Sequence, residues 1–150
     1  MSAIHVSGVS SVIGRSIAHC CSLDHHQDES RIAAWSSRYS PDNIRVLLGG
    51  TGNFAVVAAS ANSPLGSAAL TRSGQINHLF VDPDALCQGH GRRLLAALET
   101  EARRRWFTSI YVDSTATAMP FFVHLGYQVC DTKGVDATDA ALMRLIKFLR

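Results

Sequence analysis

The segment from Ile76 to Arg105 constrains this chain more than any other. A strand-like run, Ile76-Asn77-His78-Leu79-Phe80-Val81, passes through Asp82 to Gln88 into Gly89-His90-Gly91 and then into an amphipathic helix over 89–105. Leu94, Leu95, Leu98 and Ala102 share one face of that helix. A helix start leaves backbone N–H groups without intrahelical partners and carries the positive end of the helix dipole. The N–H groups of Gln88, Gly89, His90, Gly91 and Arg92 can therefore converge on an anion such as a phosphate, and the glycines allow it a close approach. Arg92 and Arg93 stand in the first helical turn, where they either add positive charge to such a site or form a solvated face. A dinucleotide-binding βαβ unit does not fit, because its third glycine is missing and the turn after the strand is too long. A nucleotide phosphate loop is excluded by the absence of its lysine.

Composition sets the outer bounds. A chain of 150 residues, 47% apolar, fits one domain (1–150) with a real core. A formal charge of +2 argues against a nucleic-acid partner. The longest apolar run, Phe54 to Ala59, is too short to span a bilayer, so no membrane is expected. The first residues carry no signal-peptide pattern. Cys20, Cys21, Cys87 and Cys130 form no Cys-x-x-Cys pair and read as free thiols in a reducing, cytoplasmic setting. Cys20, Cys21, His25 and His26 match no common zinc spacing, and no metal site is expected.

Along the chain, Val9, Val12, Ile13, Ile17, Cys20 and Cys21 form a helical stripe over 7–22, with a short strand (Ile4 to Val6) as an option before it. Asp24 to Ser37 reads as a second helix with Ile32 and Trp35 as core side chains. Ser40 to Asn43 is a turn or helix start, and Gly49 to Asn53 a tight turn. Three strands follow as an antiparallel meander: 54–60, 65–71 and 75–81. In helix 89–105, Glu99 with Arg103 and Glu101 with Arg105 are expected as exposed i,i+4 pairs. The run Arg103-Arg104-Arg105 suits a helix C-terminus. Ser109 to Asp113 alternates as a strand and, after a right-handed crossover, is expected parallel to 75–81. A short helix, about 117–125, ends at Gly126; Tyr127 to Asp131 begins another strand. For Ala141 to Leu149 periodicity leaves strand and helix open.

A second block, Ala118-Met119-Pro120-Phe121-Phe122-Val123-His124-Leu125-Gly126-Tyr127, completes a pattern. With Val81-x-Pro83, Gly89-x-Gly91 and Leu94-Leu95, it resembles the GNAT superfamily of acetyl-CoA-dependent N-acetyltransferases. The resemblance covers about residues 54 to 130. It implies an α/β (α+β) GNAT-like domain: a twisted, mixed, mostly antiparallel sheet with a V-shaped splay between central strands and helices on both faces. It also favours a strand for 141–149. It implies acetyl-CoA as co-substrate, its pyrophosphate at Gln88, Gly89, His90, Gly91, Arg92 and Arg93. The pantetheine arm would lie along the backbone of Leu79, Phe80 and Val81, with Thr115, Phe121 and Phe122 beside it. A backbone N–H at Leu79 would polarise the thioester carbonyl. The chain departs from the family's pattern at Leu86, where Arg or Gln is usual, and at Phe122, where a Tyr often protonates the leaving thiolate. A CoA thiol is already acidic, with a pKa of about 8.5 taking cysteine as a guide, so that proton is not obligatory.

Strict alternation puts Gln75, Asn77, Leu79 and Val81 on one face of strand 75–81 and Ile76, His78 and Phe80 on the other. The catalytic face then carries two amides, Gln75 and Asn77, which orient a water but accept no proton. His78 reads as a hydrogen-bonded core histidine; His90 and His124 are further options for a base. The expected activity is acetyl transfer to a primary amine of a small molecule or peptide by direct attack, the alternative being a catalytically degenerate acyl-CoA-binding sensor. A homodimer is one assembly such a protein could take.

Overall fold

The computed structural model describes residues 3–61, 63–135 and 141–150. Helices α1 (Ala3–Cys20), α2 (Ser22–His25), α3 (Glu29–Ser37) and α4 (Pro41–Gly49) precede strands β1 (Phe54–Ser60), β2 (Ser63–Leu70) and β3 (Gln75–Val81). A 3₁₀ turn (Pro83–Ala85) then leads to α5 (His90–Arg104), β4 (Ser109–Ser114), α6 (Met119–His124), β5 (Gln128–Val135) and β6 (Ala141–Phe148). The six strands form one sheet in the order β1-β2-β3-β4-β6-β5. Every neighbouring pair is antiparallel except β3 and β4. This is the mixed α/β architecture expected, and the C-terminal segment is the strand the family's order favours.

The N-terminal third differs from the reading in two places. No strand covers Ile4 to Val6. Val6 extends the stripe of Val9, Ile13 and Ile17 at helical spacing, and burying that stripe against β2 and β3 keeps the segment helical from Ala3. The helix expected over Asp24 to Ser37 is broken, because His26 (φ 53°) and Gln27 (φ 62°) are left-handed. Asp28 then restarts it by accepting from the Arg31 N–H at 3.1 Å. Ser40 caps α4 in the same way at 3.2 Å, with Pro41 in its first turn.

Two apolar clusters flank the sheet. Val6, Val9, Ile13, Ile17, Trp35 and Ile44 pack with Val57 and Phe80 on one side. Leu94, Leu95, Leu98 and Ala102 of α5 pack with Ile76, Ile110, Val112, Phe122, Tyr127 and Leu145 on the other. Of the two pairs expected on the outside of α5, Glu101 with Arg105 forms at 3.1 Å but around a buried carboxylate, and Glu99 turns to other partners than Arg103. Glu99 is 8% exposed and accepts from the Tyr127 hydroxyl and from Lys147 Nζ, each at 3.0 Å. Glu101 is also buried; hydrogen bonds from Arg104, then Arg105, hold its carboxyl well below the usual carboxylate range. Arg103 donates to the terminal carbonyl of Arg150 at 3.3 Å, and Arg105 to the carbonyl of Gly52. The arginine run thus ties the C-terminal end of α5 to its neighbours. Among the described residues no helix is long and apolar enough to cross a membrane.

Candidate active site

The centre of the sheet is where the site is made. β3 and β4 pair only at Gln75↔Tyr111 and Ile76↔Val112. Beyond Ile76 the two strands part, so the β4-facing backbone edge of Leu79, Phe80 and Val81 has no strand beside it. On its other edge β3 runs along β2 with one irregularity: Ala69 pairs with His78 and Leu70 with Ile76, leaving Asn77 as the extra residue of a bulge. The bulge corrects the strict alternation. Ile76 packs in the α5 cluster together with Leu79 and Val81, while Phe80 packs in the α1 cluster.

A cavity of about 530 Å³ fills the splay. It brings together Gln75, Asn77, Leu79, Phe80, Val81, Gly89, His90, Gly91, Arg92, Thr115, Phe121 and Phe122 of the expected set. Gln88 and Arg93 are not part of its lining. Arg93 folds back from α5 and donates to the Gln88 carbonyl at 3.1 Å and to His90 Nδ1 at 3.2 Å, bracing the turn from outside. His124 is exposed and also lies outside the cavity lining.

The turn between β3 and α5 is fixed by local chemistry. Asp82 is buried, accepts from the Asp84 N–H at 2.8 Å, and takes Arg15 Nη1 of α1 at 2.7 Å. Gly89 starts α5 at φ 83°, a left-handed conformation that glycine adopts without strain, and no side chain caps the helix. Its first N–H groups are thus available to an anion. A Cβ at Gly91 would sit 3.3 Å from the Phe121 ring, so glycine is what fits between turn and aromatic wall. Leu86 lies against the same cavity, 47% exposed.

On the other lip, the β4–α6 loop carries Thr115. Its hydroxyl accepts from the Ala118 N–H at 3.3 Å. Asp24 of α2 holds this loop, accepting from the N–H of Ala116 at 2.8 Å and of Thr117 at 3.3 Å, and from the Thr117 hydroxyl. Asp24 carried no signal in the sequence; its partners lie more than 90 residues on. Phe122 is 3% exposed and meets Phe121 and Tyr127 edge-on at 5.2 and 5.4 Å. The phenol of this block therefore sits at Tyr127, and its proton is directed to Glu99. Burial and the Glu99 carboxylate push its pKa upward, away from any role as an acid.

The polar groups of β3 are committed as well. The Gln75 amide reaches Asp113 Oδ2 at 3.4 Å, and Asp113 is also gripped by Arg144 at 2.8 and 3.0 Å. His78 is 5% exposed, with its nitrogens 3.0 Å from Ser67 Oγ and 2.9 Å from Asn77 Oδ1. An amide oxygen only accepts, so Nδ1 carries the proton and Nε2 takes the Ser67 hydroxyl. Asn77 itself is exposed to the cavity. Burial lowers the His78 pKa from 6.5 to about 4. Its stability contribution is complete above 6.5 and is lost as pH falls through 4, because the unfolded chain then binds the extra proton. The denaturation midpoint is expected to fall across that window and to fall less in His78→Gln. Identical slopes would remove His78 as the cause.

Opposite β3, Cys20 and Cys21 line the cavity with thiols that burial raises, Cys21 to about 12. They are therefore not thiolates. His25 is spent on the Ile17 carbonyl at 2.7 Å and the Gln27 N–H at 3.0 Å. Among the described residues no group of three or more His, Cys, Asp or Glu is placed to hold a metal ion.

A family model described as an acetyltransferase (GNAT) domain matches residues 22–140. The chain belongs to the GNAT acetyltransferase family and is an acetyltransferase. No curated protein matches it. Among solved structures it resembles a GCN5-related N-acetyltransferase from Rhodopseudomonas palustris: 24% identity, TM-score 0.85, 96% of this chain and 89% of that one covered. PaiA N-acetyltransferase from Thermoplasma acidophilum, solved with coenzyme A, superposes with a TM-score of 0.79 at 16% identity over 99% of this chain and 95% of that one. An aminoglycoside 6'-N-acetyltransferase complexed with coenzyme A gives 0.72 at 14% identity over 95% and 89%. At these identities the likeness is one of fold.

Proposed function

We propose that the protein transfers the acetyl group of acetyl-CoA to a primary amine of a small molecule or peptide by direct attack within a ternary complex. Acetyl-CoA is the co-substrate; similar folds are solved with coenzyme A or acetyl-CoA bound. The observation that carries the reading is the unpaired edge of Leu79–Val81, open to a cavity that ends at the uncapped start of α5. The pyrophosphate rests on the N–H groups from Gly89 to Arg92. The pantetheine arm lies along Leu79, Phe80 and Val81 as an extra strand, with Thr115, Phe121 and Phe122 as the facing wall. The N–H at Leu79 polarises the thioester carbonyl. The amine nitrogen attacks that carbon, the C–N bond forms, the C–S bond breaks, and CoA leaves as the thiolate. The ammonium proton passes to a water oriented by Asn77. Positioning and carbonyl polarisation then supply most of the rate.

Calorimetric titration with acetyl-CoA, followed by thiol release across an amine panel, tests the assignment. Tight binding without turnover on any amine favours the acyl-CoA sensor, a reading kept because Phe122 offers no proton. Asn77→Ala is expected to lower kcat roughly 10-fold or more while the dissociation constant of acetyl-CoA stays the same. An unchanged kcat removes Asn77 from the proton path.

A further inference from the structure

Resting on the acetyl-transfer reading, we infer that Asp24 is a positioning residue for the co-substrate: it clasps the β4–α6 loop to α2 across the splay and so sets Thr115 against the pantetheine arm. β3 and β4 pair at two positions and then part. α1 packs on β2 and β3, and its last turn holds α2. His25, 1% exposed, donates to the Ile17 carbonyl at 2.7 Å and accepts from the Gln27 N–H at 3.0 Å. Asp24 is therefore mounted on the β1-β2-β3 side of the cavity, while the loop it grips leaves β4 on the other side. Cys21 near it and Thr117 on the loop both line the cavity, so the clasp closes along the cavity's edge.

The grip is directional. Asp24 is 7% exposed. One carboxyl oxygen takes the Ala116 N–H at 2.8 Å; the other takes the Thr117 N–H at 3.3 Å and the Thr117 hydroxyl. Hydrogen bonds to a carboxylate are stronger than neutral ones, and a buried carboxylate depends on them. Three donors from two successive residues fix the orientation of the loop as well as its distance. Thr115 comes immediately before them. Its hydroxyl accepts from the Ala118 N–H at 3.3 Å, which leaves its own proton to donate into the cavity it lines. A pantetheine arm offers amide carbonyls to such a donor. Displacing the loop breaks that bond and moves the wall, whereas the proposed phosphate seat at the start of α5 is built from other elements.

The test measures binding of acetyl-CoA, and of ADP, which carries a diphosphate without the pantetheine arm, to the full chain and to Asp24→Asn. The carboxamide keeps the shape but turns an NH2 group towards loop donors. Acetyl-CoA binding is expected to weaken roughly tenfold or more, with the ADP affinity unchanged. A packing role alone lowers the melting temperature and either spares both affinities or weakens both together; each of these results overturns the inference. In the Thr115→Ala chain, whose hydroxyl is already gone, Asp24→Asn is expected to cost little further acetyl-CoA affinity, and additive losses overturn the inference as well. Should Asp24→Asn fail to fold, Thr117→Val removes the hydroxyl arm of the same clasp. It is expected to weaken acetyl-CoA and spare ADP, and an unchanged acetyl-CoA affinity counts against the clasp. A wild-type chain that holds acetyl-CoA no tighter than ADP has no arm lodged in the splay, and that result removes the acetyl-transfer reading itself.

Discussion

Gly91→Asp is expected to weaken acetyl-CoA binding at least 100-fold, a loss of about 2.7 kcal/mol or more. Two effects combine. The new Cβ lies 3.3 Å from the Phe121 ring and 3.8 Å from Val81, so the wall of the turn has to move. The carboxylate then stands where the first N–H groups of α5 would meet the pyrophosphate, setting like charge against like. Calorimetry reads the affinity, and a thermal shift gives an independent measure. Ligand at 100 times its dissociation constant stabilises the wild type by about 2.7 kcal/mol, and the variant should show almost none. Gly91→Ala carries the steric part alone and should cost much less. If Gly91→Asp binds acetyl-CoA as the wild type does, the phosphates lie elsewhere.

Lys147→Met is expected to cost the largest share of folding stability among the substitutions considered. Lys147 donates to Glu99 Oε1 and to the Leu125 carbonyl, each at 3.0 Å, and lies over the Tyr127 ring at 5.6 Å. Methionine fills the space but leaves the Glu99 carboxylate, held beneath α5, with only the Tyr127 hydroxyl. The expected loss is about 2–4 kcal/mol, toward the lower side of what breaking a buried ion pair costs because Lys147 keeps some contact with water. The urea midpoint should drop with little change in slope. Glu99→Gln in the same chain should recover part of the loss, as coupled partners do. Additive losses in the double variant would mean that the two groups act separately.

Much of the fold was legible in the sequence because its signals are local. The meander, α5 and the glycine turn each announce themselves by period, turn chemistry or order over a few residues. What escaped depends on partners far along the chain. The bulge at Asn77 is a property of how β3 registers on Ala69 and Leu70, and strict alternation therefore misplaced Ile76. Glu99 looks like a surface residue until Lys147, 48 residues later, is brought beneath it. Asp24 has no reason to stand out until the loop at Ala116 and Thr117 arrives. The candidate site divides the same way. The glycine turn at the start of α5 was readable as a motif, with Gln88 and Arg93 braced outside the cavity lining. The rest of the cavity wall is assembled from separate helices and strands with no motif of its own.

The narrow junction between β3 and β4 has a mechanical consequence. Two three-stranded blocks, β1-β2-β3 and β4-β6-β5, share two rungs of main-chain pairing. In the proposed complex, an acyl carrier lodged between them would act as a keystone that neither block contains. Hydrogen exchange at amides of β4 and β6 beyond reach of the carrier should slow when it binds, and the blocks should then melt together.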